Sequence, residues 1–170
     1  MDKHSRRTVL SALVLGVTRL LTRMARAQAL KADKVIVYKG RRTMHLMSGD
    51  KVIDSFRIML GEHPIGPKMT ARDGRTPEGF YMVDGRNSHS PYHLSLHLNY
   101  PNEIDRLEAE EQGVKAGGDI CIHGMPARFG HTDPIGYFTD WTDGCISVGN
   151  KAIETVWDAV DIGTPVEIRA

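Results

Sequence analysis

The order of apolar and polar residues along this 170-residue chain predicts strands more often than helices. Residues 35–38 and 43–47 are two short apolar-rich runs separated by a Lys-Gly-Arg-Arg segment, a pattern typical of paired strands. Residues 52–60 alternate in part and predict a third strand, which would complete a β-meander, and 80–83 predict a fourth. The intervening segment, 61–79, is rich in glycine, proline and charge, which indicates a long surface loop.

Residues 93–98 predict a strand with two different faces. His93, Ser95 and His97 project to one side of this strand, and the leucines between them project to the other. The polar face is suited to line a cleft. His93 and Ser95 are therefore candidate substrate-binding residues, with a solvated strand face as the simpler alternative.

Only two segments predict helices. The first begins at Asn102, a favourable N-cap, and stops at Gly113. The second follows Asn150 and ends at Gly163, and its apolar residues recur at helical spacing, which predicts a buried stripe. A closing strand is predicted at 164–168. Because strands and helices do not alternate, the fold class is predicted as mainly β, a sandwich or barrel with two short helices.

The amino-terminal segment predicts export. Lys3, Arg6 and Arg7 precede an apolar run at 9–17 that is too short to cross a bilayer as a stable span. The arginine pair resembles the twin-arginine export signal, and the small residues up to Ala27 suit cleavage by a signal peptidase. We therefore expect a periplasmic or otherwise exported protein with no stable membrane span in its mature form. An uncleaved amphipathic anchor is the alternative.

The chain is accordingly divided into an export signal at 1–27, a linker at 28–33 and one domain at 34–170. A content of 41% apolar and 25% charged residues is typical of a soluble globular protein. Without residues 1–27 the chain has 16 Lys and Arg against 20 Asp and Glu, a formal charge of −4. Proteins that bind nucleic acid normally carry the opposite sign, so the prediction excludes that class. The sequence indicates no oligomeric state.

Two segments carry candidate chemistry. A short apolar strand at 120–123 ends in His123 and is followed by Gly124, and Cys145 comes directly after Gly144. A thiol becomes a useful nucleophile when a nearby base holds it as thiolate, and imidazole, with a pKa of about 6.5, is the usual base. Glycine before the cysteine permits a sharp turn whose N–H groups can face an oxyanion. The pair suits acyl transfer, although buried cysteines and strand histidines are more often structural.

The chain resembles the L,D-transpeptidases with the YkuD-type catalytic domain over residues 33–169. Four segments match in the family's order: a strand-entry segment at 75–81, a segment before a helix at 92–96 with 99–102, a histidine segment at 122–124, and a Ser/Thr-x-Gly-Cys nucleophile segment at 142–146. The resemblance implies a β-sandwich of mixed sheets with two short helices, and it makes 34–170 an L,D-transpeptidase catalytic domain.

The resemblance also implies a cysteine acyltransferase that acts on peptidoglycan stem peptides. Cys145 would attack the carbonyl between the third and fourth residues of a tetrapeptide stem, release D-alanine, and pass the acyl group to an amine, as a cross-link or a protein-wall attachment. His123 would accept the thiol proton while the Gly124 carbonyl holds its other ring nitrogen. The N–H groups of Gly144 and Cys145 would bind the oxyanion. No metal or organic cofactor is implied, because the thioester stores the acyl group.

Positions near the nucleophile are further candidates for substrate binding: Trp141, Thr142, Asp143 and Ser147. Asp143 stands where many family members carry histidine, and Ser147 where many carry arginine or asparagine. These departures keep a catalytically silent wall-binding module open as a rival. A carboxypeptidase or hydrolase with the same nucleophile is also open, because cleft shape selects the acceptor. Residues 125–141 are expected to form a lid or an acceptor-binding loop.

Cys121 lies two residues before His123 and shares a strand face with it. Three interpretations of this thiol remain open. It packs as a small apolar residue, it forms a disulfide with Cys145 that switches the protein off, or it contributes to a zinc site with His123 and Cys145.

Overall fold

A computed structural model describes residues 31–126 and 139–170 of the chain. The described residues form eight strands and two helices. The strands are β1 (Lys34–Tyr38), β2 (Thr43–Ser48), β3 (Lys51–Arg57), β4 (Gly79–Ser90), β5 (His93–Leu98), β6 (Cys121–His123), β7 (Ile146–Ser147) and β8 (Pro165–Arg169), and the helices are α1 (Glu103–Glu111) and α2 (Asn150–Ala159).

The strands form one mixed sheet in the order β3-β2-β1-β8-β4-β5-β6-β7. The β1–β8 and β6–β7 pairs are parallel, and the other pairs are antiparallel. β4 belongs to both halves of the sheet, because its first four residues pair with β8 and the rest with β5. The predicted mainly-β class, with mixed strand directions and two short helices, is confirmed.

A single hydrophobic core fills the space between the two halves of the sheet. Fully burying a valine, leucine or isoleucine side chain contributes about 1.5–3 kcal/mol to the stability of the fold. The strands of both halves are therefore held together mainly by this cluster. Helix α2 adds the apolar stripe that its helical spacing predicted. Members of the cluster include Val35 and Val37 of β1, Leu46 of β2, Leu96 and Leu98 of β5, Ile122 of β6, Ile146 of β7, and Ile153 and Val156 of α2.

The two edge strands of the sheet are joined outside the regular ladders. β3 ends at Arg57, earlier than the predicted 52–60, because the chain leaves β2 there. Met59 instead exchanges two backbone hydrogen bonds with Ser147 of β7, each 2.8 Å long. The sheet is therefore closed on itself, as in a barrel, at the position where β7 follows the nucleophile segment.

The segment between β3 and β4 follows the predicted loop, and buried charges hold it in place. Lys39, which is 2% exposed, donates from Nζ to the carbonyls of Gly66 and Thr76 and to the Glu78 carboxylate. Burial lowers the pKa of Lys39, although Glu78 opposes that effect. All three ammonium hydrogens have an acceptor, so this loop is anchored to the end of β1.

The predicted start of helix α1 is confirmed. The Asn102 side chain accepts from the backbone N–H groups of Ile104 and Asp105, and the Asp105 carboxylate accepts from the Asn102 N–H, which forms a capping box.

Ahead of β1, the N–H of buried Ala32 donates to the carbonyl of Ala159 at the end of α2. Neither helix in the described part of the chain is long and apolar enough to span a membrane.

Candidate active site

His123 is the last residue of β6 and is buried between β5 and β7. Its Nδ1 lies 2.7 Å from the Gly124 carbonyl oxygen. A carbonyl can only accept, so Nδ1 carries the proton and Nε2 is left as a base. The Tyr92 ring stacks on the imidazole at a centroid distance of 4.3 Å, and the Trp141 ring meets its edge at 5.7 Å. These contacts fix both the tautomer and the orientation of the ring.

The position of the Gly124 carbonyl depends on the absence of a side chain. A Cβ at Gly124 would lie 2.7 Å from both the Asn150 Oδ1 atom and the Tyr92 carbonyl oxygen. The Asn150 side chain also accepts the N–H of Met125 at 2.7 Å. The first residue of α2 therefore packs so closely against the chain directly after His123 that only glycine leaves room there.

The Cys145 sulfur is presented by a tight turn that starts at Thr142. The Thr142 hydroxyl donates to the Cys145 carbonyl at 2.7 Å and accepts the Gly144 N–H at 3.1 Å. Gly144 has a φ of +134°, and a Cβ there would lie 2.4 Å from the Arg75 carbonyl oxygen. Buried Lys68 donates to the Asp143 carbonyl at 3.3 Å. Hydrogen bonds of Thr142 within the turn and the contact from Lys68 in the 61–78 loop therefore both hold the turn in place.

Cys145 and His123 meet at one cavity. Both line a cavity of about 550 Å³. The neighbouring Cys121 side chain is the largest influence lowering the pKa of Cys145. Burial opposes it, and the hydrogen bond and positive charge of His123 lower the pKa further, so the net shift is downward. The site therefore favours a thiolate with an imidazole beside it.

A second cavity, of about 680 Å³, adjoins the first. Glu62 lines both cavities, and the second one is also lined by His63, Ile65 and Arg75. The Glu62 N–H donates to the Thr142 carbonyl at 3.0 Å, which ties this residue to the turn that carries Cys145. Glu62 is therefore shared by the cavity of the sulfur and the second cavity.

The family model for the YkuD L,D-transpeptidase catalytic domain matches residues 32–168, most of the chain. This chain belongs to that family. The membership agrees with the order of motifs, and the fold expected for a YkuD domain is confirmed. The protein YafK of Escherichia coli (strain K12) is 28% identical over 131 residues, which cover 73% of this chain and 45% of YafK. This YkuD chain thus spans about half the length of that relative.

Solved structures agree with the fold of this YkuD domain. The helical cell shape determining protein Pgp2 from Campylobacter jejuni has a TM-score of 0.61 and 26% identity, covering 79% of this chain and 46% of Pgp2. Bd1075 of Bdellovibrio bacteriovorus has a TM-score of 0.58 and 26% identity, covering 84% and 49%. An L,D-transpeptidase from Mycobacterium smegmatis has a TM-score of 0.52 and 14% identity, covering 80% and 58%, and supports the fold alone.

Several predicted site residues come together in the YkuD domain. Cys145, His123, Trp141 and Asp143 line the same cavity, and the Gly124 carbonyl holds the His123 ring as the resemblance implied. Their roles in a reaction remain predictions, but the geometry brings the nucleophile and base candidates within reach of one bound peptide.

Other predicted residues lie elsewhere. Ser147 is fully buried, with its hydroxyl 3.4 Å from the Gly124 carbonyl, so it does not face the cleft and its predicted substrate contact is corrected to an interior one. His93 is on the surface, where Nε2 lies 2.8 Å from Glu154 of α2. Ser95 is buried beside His123 in the ladder and does not line the cavity.

Gly144 and Thr142 differ from their predicted roles in one respect. The Gly144 N–H is already bonded to the Thr142 hydroxyl, so it is not free to bind an oxyanion in this geometry. Thr142 lines the cavity, but its hydroxyl is used within the turn. Within residues 31–126 and 139–170, no hydrogen bond involves the Cys145 N–H, which leaves that group for an oxyanion.

Four residues of the site were not singled out from the sequence. Tyr92 stacks on the base, Lys68 bonds to the nucleophile turn, and Glu62 and Asp119 line the cavity. Tyr92 lies in a segment that matched the family, which was a usable signal. Lys68 and Glu62 belong to the loop at 61–78, where no periodic pattern indicates which side chains face inward.

The structure bears on the three interpretations of Cys121, which were packing, a disulfide with Cys145 and a zinc site. Cys121 and Cys145 are both free thiols, and no group of three or more metal-ligating side chains lies together in the described residues. The backbone N–H of Cys121 donates to the Cys145 sulfur at 3.4 Å, and its side chain is half-buried, which agrees with packing. The expected lid at 125–141 falls mostly on residues 127–138, which lie outside the described residues.

Proposed function

We propose that this domain is a peptidoglycan L,D-transpeptidase that works through a thioacyl intermediate on Cys145. The sulfur attacks the carbonyl before the terminal D-alanine of a stem tetrapeptide, D-alanine leaves, and an amine of a second stem or of a protein takes the acyl group. The observation that carries the proposal is the Cys145–His123 pair, with the imidazole fixed by Gly124, at the edge of an open cavity. Membership of the YkuD family supplies the substrate class.

Each step has a residue suited to it. His123 Nε2 accepts the thiol proton, because the Gly124 carbonyl keeps the other proton on Nδ1. The unbonded Cys145 N–H faces the oxyanion of the tetrahedral intermediate. His123 then returns its proton to the departing amine of D-alanine, which leaves a thioester on the sulfur.

An amine acceptor is supported by Glu62. This carboxylate lines the cavity of Cys145 and the adjoining groove of about 680 Å³. An acceptor amine arrives as an ammonium group, and a carboxylate on its path attracts the charge and takes the proton that must be lost before attack. Water carries no charge, so the attraction applies to the amine alone. The groove is the route by which the second stem approaches.

The test is the Cys145→Ala variant with purified tetrapeptide muropeptides, followed by mass spectrometry. Wild-type protein is expected to release D-alanine and form dimers, and Cys145→Ala is expected to release none, because the thioacyl intermediate cannot form. Cys145→Ser, which keeps the volume, controls for packing and should retain at most a trace of activity. Equal thermal unfolding temperatures would show that each variant is folded.

The reaction products distinguish transfer from hydrolysis, and adduct formation distinguishes an enzyme from a silent module. Dimers support transfer, whereas tripeptide monomers alone would replace transfer with hydrolysis at the same nucleophile. Unchanged D-alanine release in Cys145→Ala would reject the mechanism. A carbapenem, which acylates members of this family at the cysteine, should add its mass to the wild-type protein and not to Cys145→Ala. No adduct on the wild-type protein, together with no turnover, would identify a silent wall-binding module.

The proposed location is the periplasm or another exported compartment, where the stem peptides are, with residues 1–27 as the signal. Sequencing the amino terminus of the mature protein should find Gln28 first, because the small residues that end at Ala27 suit signal peptidase. An intact Met1 on protein recovered from the periplasm would contradict cleavage.

A role in cell shape is part of the proposal, since Pgp2 is named a cell shape determining protein.

A further inference from the structure

Lys68 is a buried lysine that lies against the turn carrying Cys145. Its side chain is 3% exposed, and Nζ donates to the Asp73 carboxylate at 2.8 Å and to the Asp143 carbonyl at 3.3 Å. Its stem passes so close to Gly117 that a Cβ there would lie 3.2 Å from the Lys68 Cε atom. The ammonium is therefore held in place by an ion pair and by close packing, and from there it reaches a carbonyl of the turn.

The peptide group between Asp143 and Gly144 is held by hydrogen bonds on both sides. Its carbonyl accepts from Lys68, and its N–H donates to the Thr142 hydroxyl at 3.1 Å. Because a peptide group is planar, these two bonds set its orientation, and Gly144 follows with a φ of +134°. The next peptide group carries the Cys145 N–H. The direction of that N–H therefore depends on how the preceding peptide group is held.

We propose that Lys68 is a positioning residue for acyl transfer, which directs the Cys145 N–H at the oxyanion by holding the Asp143 carbonyl. This inference rests on the proposed role of Cys145 as nucleophile. A charged donor suits the task, because its hydrogen bonds are stronger than those of a neutral donor and the ion pair with Asp73 keeps it from turning away. Lys68 thereby affects catalysis in a way that anchoring a loop would not require.

The step that depends on this positioning is the attack on a carbonyl. When the thiolate attacks a carbonyl carbon, the C–S bond forms and an electron pair of the C=O bond moves to the oxygen, which becomes negative. The Cys145 N–H stabilises that charge only if it points at the oxygen. Attack on a tetrahedral carbon, such as the CH₂ group of iodoacetamide, forms a C–S bond and expels iodide without an oxyanion. The two reactions use the same sulfur, and only the first needs the N–H.

The test compares the rates at which Cys145 reacts with a carbapenem, through its β-lactam carbonyl, and with iodoacetamide, both followed by mass spectrometry at one pH. Lys68→Met keeps an unbranched side chain of similar length and removes the charge. Its carbapenem adduct should form at least about tenfold more slowly than in the wild-type protein, because a misdirected oxyanion donor loses part of its roughly 10²–10³-fold contribution. Its alkylation by iodoacetamide should change by less than about twofold, since the thiolate is intact.

Three further variants separate positioning from general support of the loop. Lys68→Arg returns a charged donor and should recover at least about half of the lost acylation rate on a logarithmic scale. Lys68→Gln is neutral and one atom too short to reach both partners, so it should show the selective loss even if Lys68→Met does not fold. Lys39→Met is the matched control, because Lys39 is also buried and anchors the same loop, but to the end of β1. It should leave the ratio of the two rates unchanged.

Other results would overturn the inference. Equal slowing of both reagents in the neutral Lys68 variants would mean that Lys68 supports the sulfur or the fold and not the oxyanion donor. Unchanged carbapenem acylation in those variants, or the same selective loss in Lys39→Met, would overturn it as well. A wild-type protein that forms no carbapenem adduct would instead reject the proposed function, and this inference with it. Neither rate requires muropeptide turnover, so a selective loss is visible even in a protein that forms no dimers.

Discussion

Asp73 organises the loop that reaches the nucleophile turn. One carboxylate oxygen accepts the N–H groups of Met69 and Thr70, and the other accepts the Arg75 N–H and the Lys68 ammonium. Burial opposes ionisation of Asp73, but the hydrogen bonds from Lys68 and the three N–H groups outweigh it and lower the pKa to about 2. The same Lys68 donates to the Asp143 carbonyl.

Asp73→Asn should therefore destabilise the protein in a pH-dependent way. The pKa of Asp73 is lower in the folded than in the unfolded chain, so its contribution is present above about pH 4 and is lost as the pH falls towards 2. The expected loss at pH 7 is about 2 kcal/mol of unfolding free energy, measured by urea denaturation.

The urea measurement should be repeated between about pH 4 and about pH 2.5, where the difference between Asp73→Asn and the wild-type protein should shrink. Asp54→Asn is the matched control, because within residues 31–126 and 139–170 the Asp54 carboxylate accepts only the neighbouring Ser55 N–H, at the surface, and the loss should be small at every pH. A difference for Asp73→Asn that stays constant across the range would mean that its charge is not what stabilises the loop.

At single positions, the sequence predicted which residues carry the chemistry better than it predicted which way their side chains and N–H groups point. Cys145 and His123 could be found because a thiol after glycine and a histidine at the end of a strand suit one reaction, and because the family motifs contain them. Ser147 could not be placed, since a two-residue strand has no periodicity from which to assign a face. The Gly144 N–H was expected to be free, but its partner is a hydroxyl two residues earlier, a turn contact that spacing does not reveal.

At the level of elements, periodic segments were predicted well and their ends were not. The capping box at Asn102 and the apolar stripe of α2 are local features, so a capping residue and the spacing of apolar residues placed both helices. β4 is longer than the predicted 80–83 because its second half pairs with β5, although its residues there are mostly polar and exposed. β3 is shorter than predicted because Met59 pairs with Ser147 of β7 and not with β2. Both differences come from long-range pairing, which one sequence does not show.

For the whole molecule, the decisive contact is the closure of the sheet. Met59 bonds to Ser147, Gly61 bridges to Thr142, and the Glu62 N–H donates to the Thr142 carbonyl. These contacts join residues that are about 80 positions apart. They hold the end of the first half of the chain along the segment that carries Cys145. The cavity with the sulfur is consequently shared by both halves, and Glu62 enters it from the first.

This closure leads to a prediction about Glu62→Gln, which rests on the proposed transfer reaction. The substitution keeps the size of the side chain and removes its charge, so an acceptor ammonium is neither attracted nor deprotonated. The fraction of product recovered as dimers should fall several-fold, with a matching rise in tripeptide monomers. Release of D-alanine in the first turnover should be unchanged, because His123 and Cys145 carry out acylation.

Glu110→Gln provides the matched control for Glu62→Gln. It removes the same charge from an exposed position on α1, outside the lining of both cavities, and should change neither the product ratio nor D-alanine release. If Glu62→Gln gives the wild-type ratio of dimers to monomers, the carboxylate does not select the acceptor. If it slows the first release of D-alanine instead, Glu62 acts in acylation. A lower dimer fraction at an unchanged first turnover would link the closure of the sheet to the choice between amine and water, because only that closure brings Glu62 to the thioester.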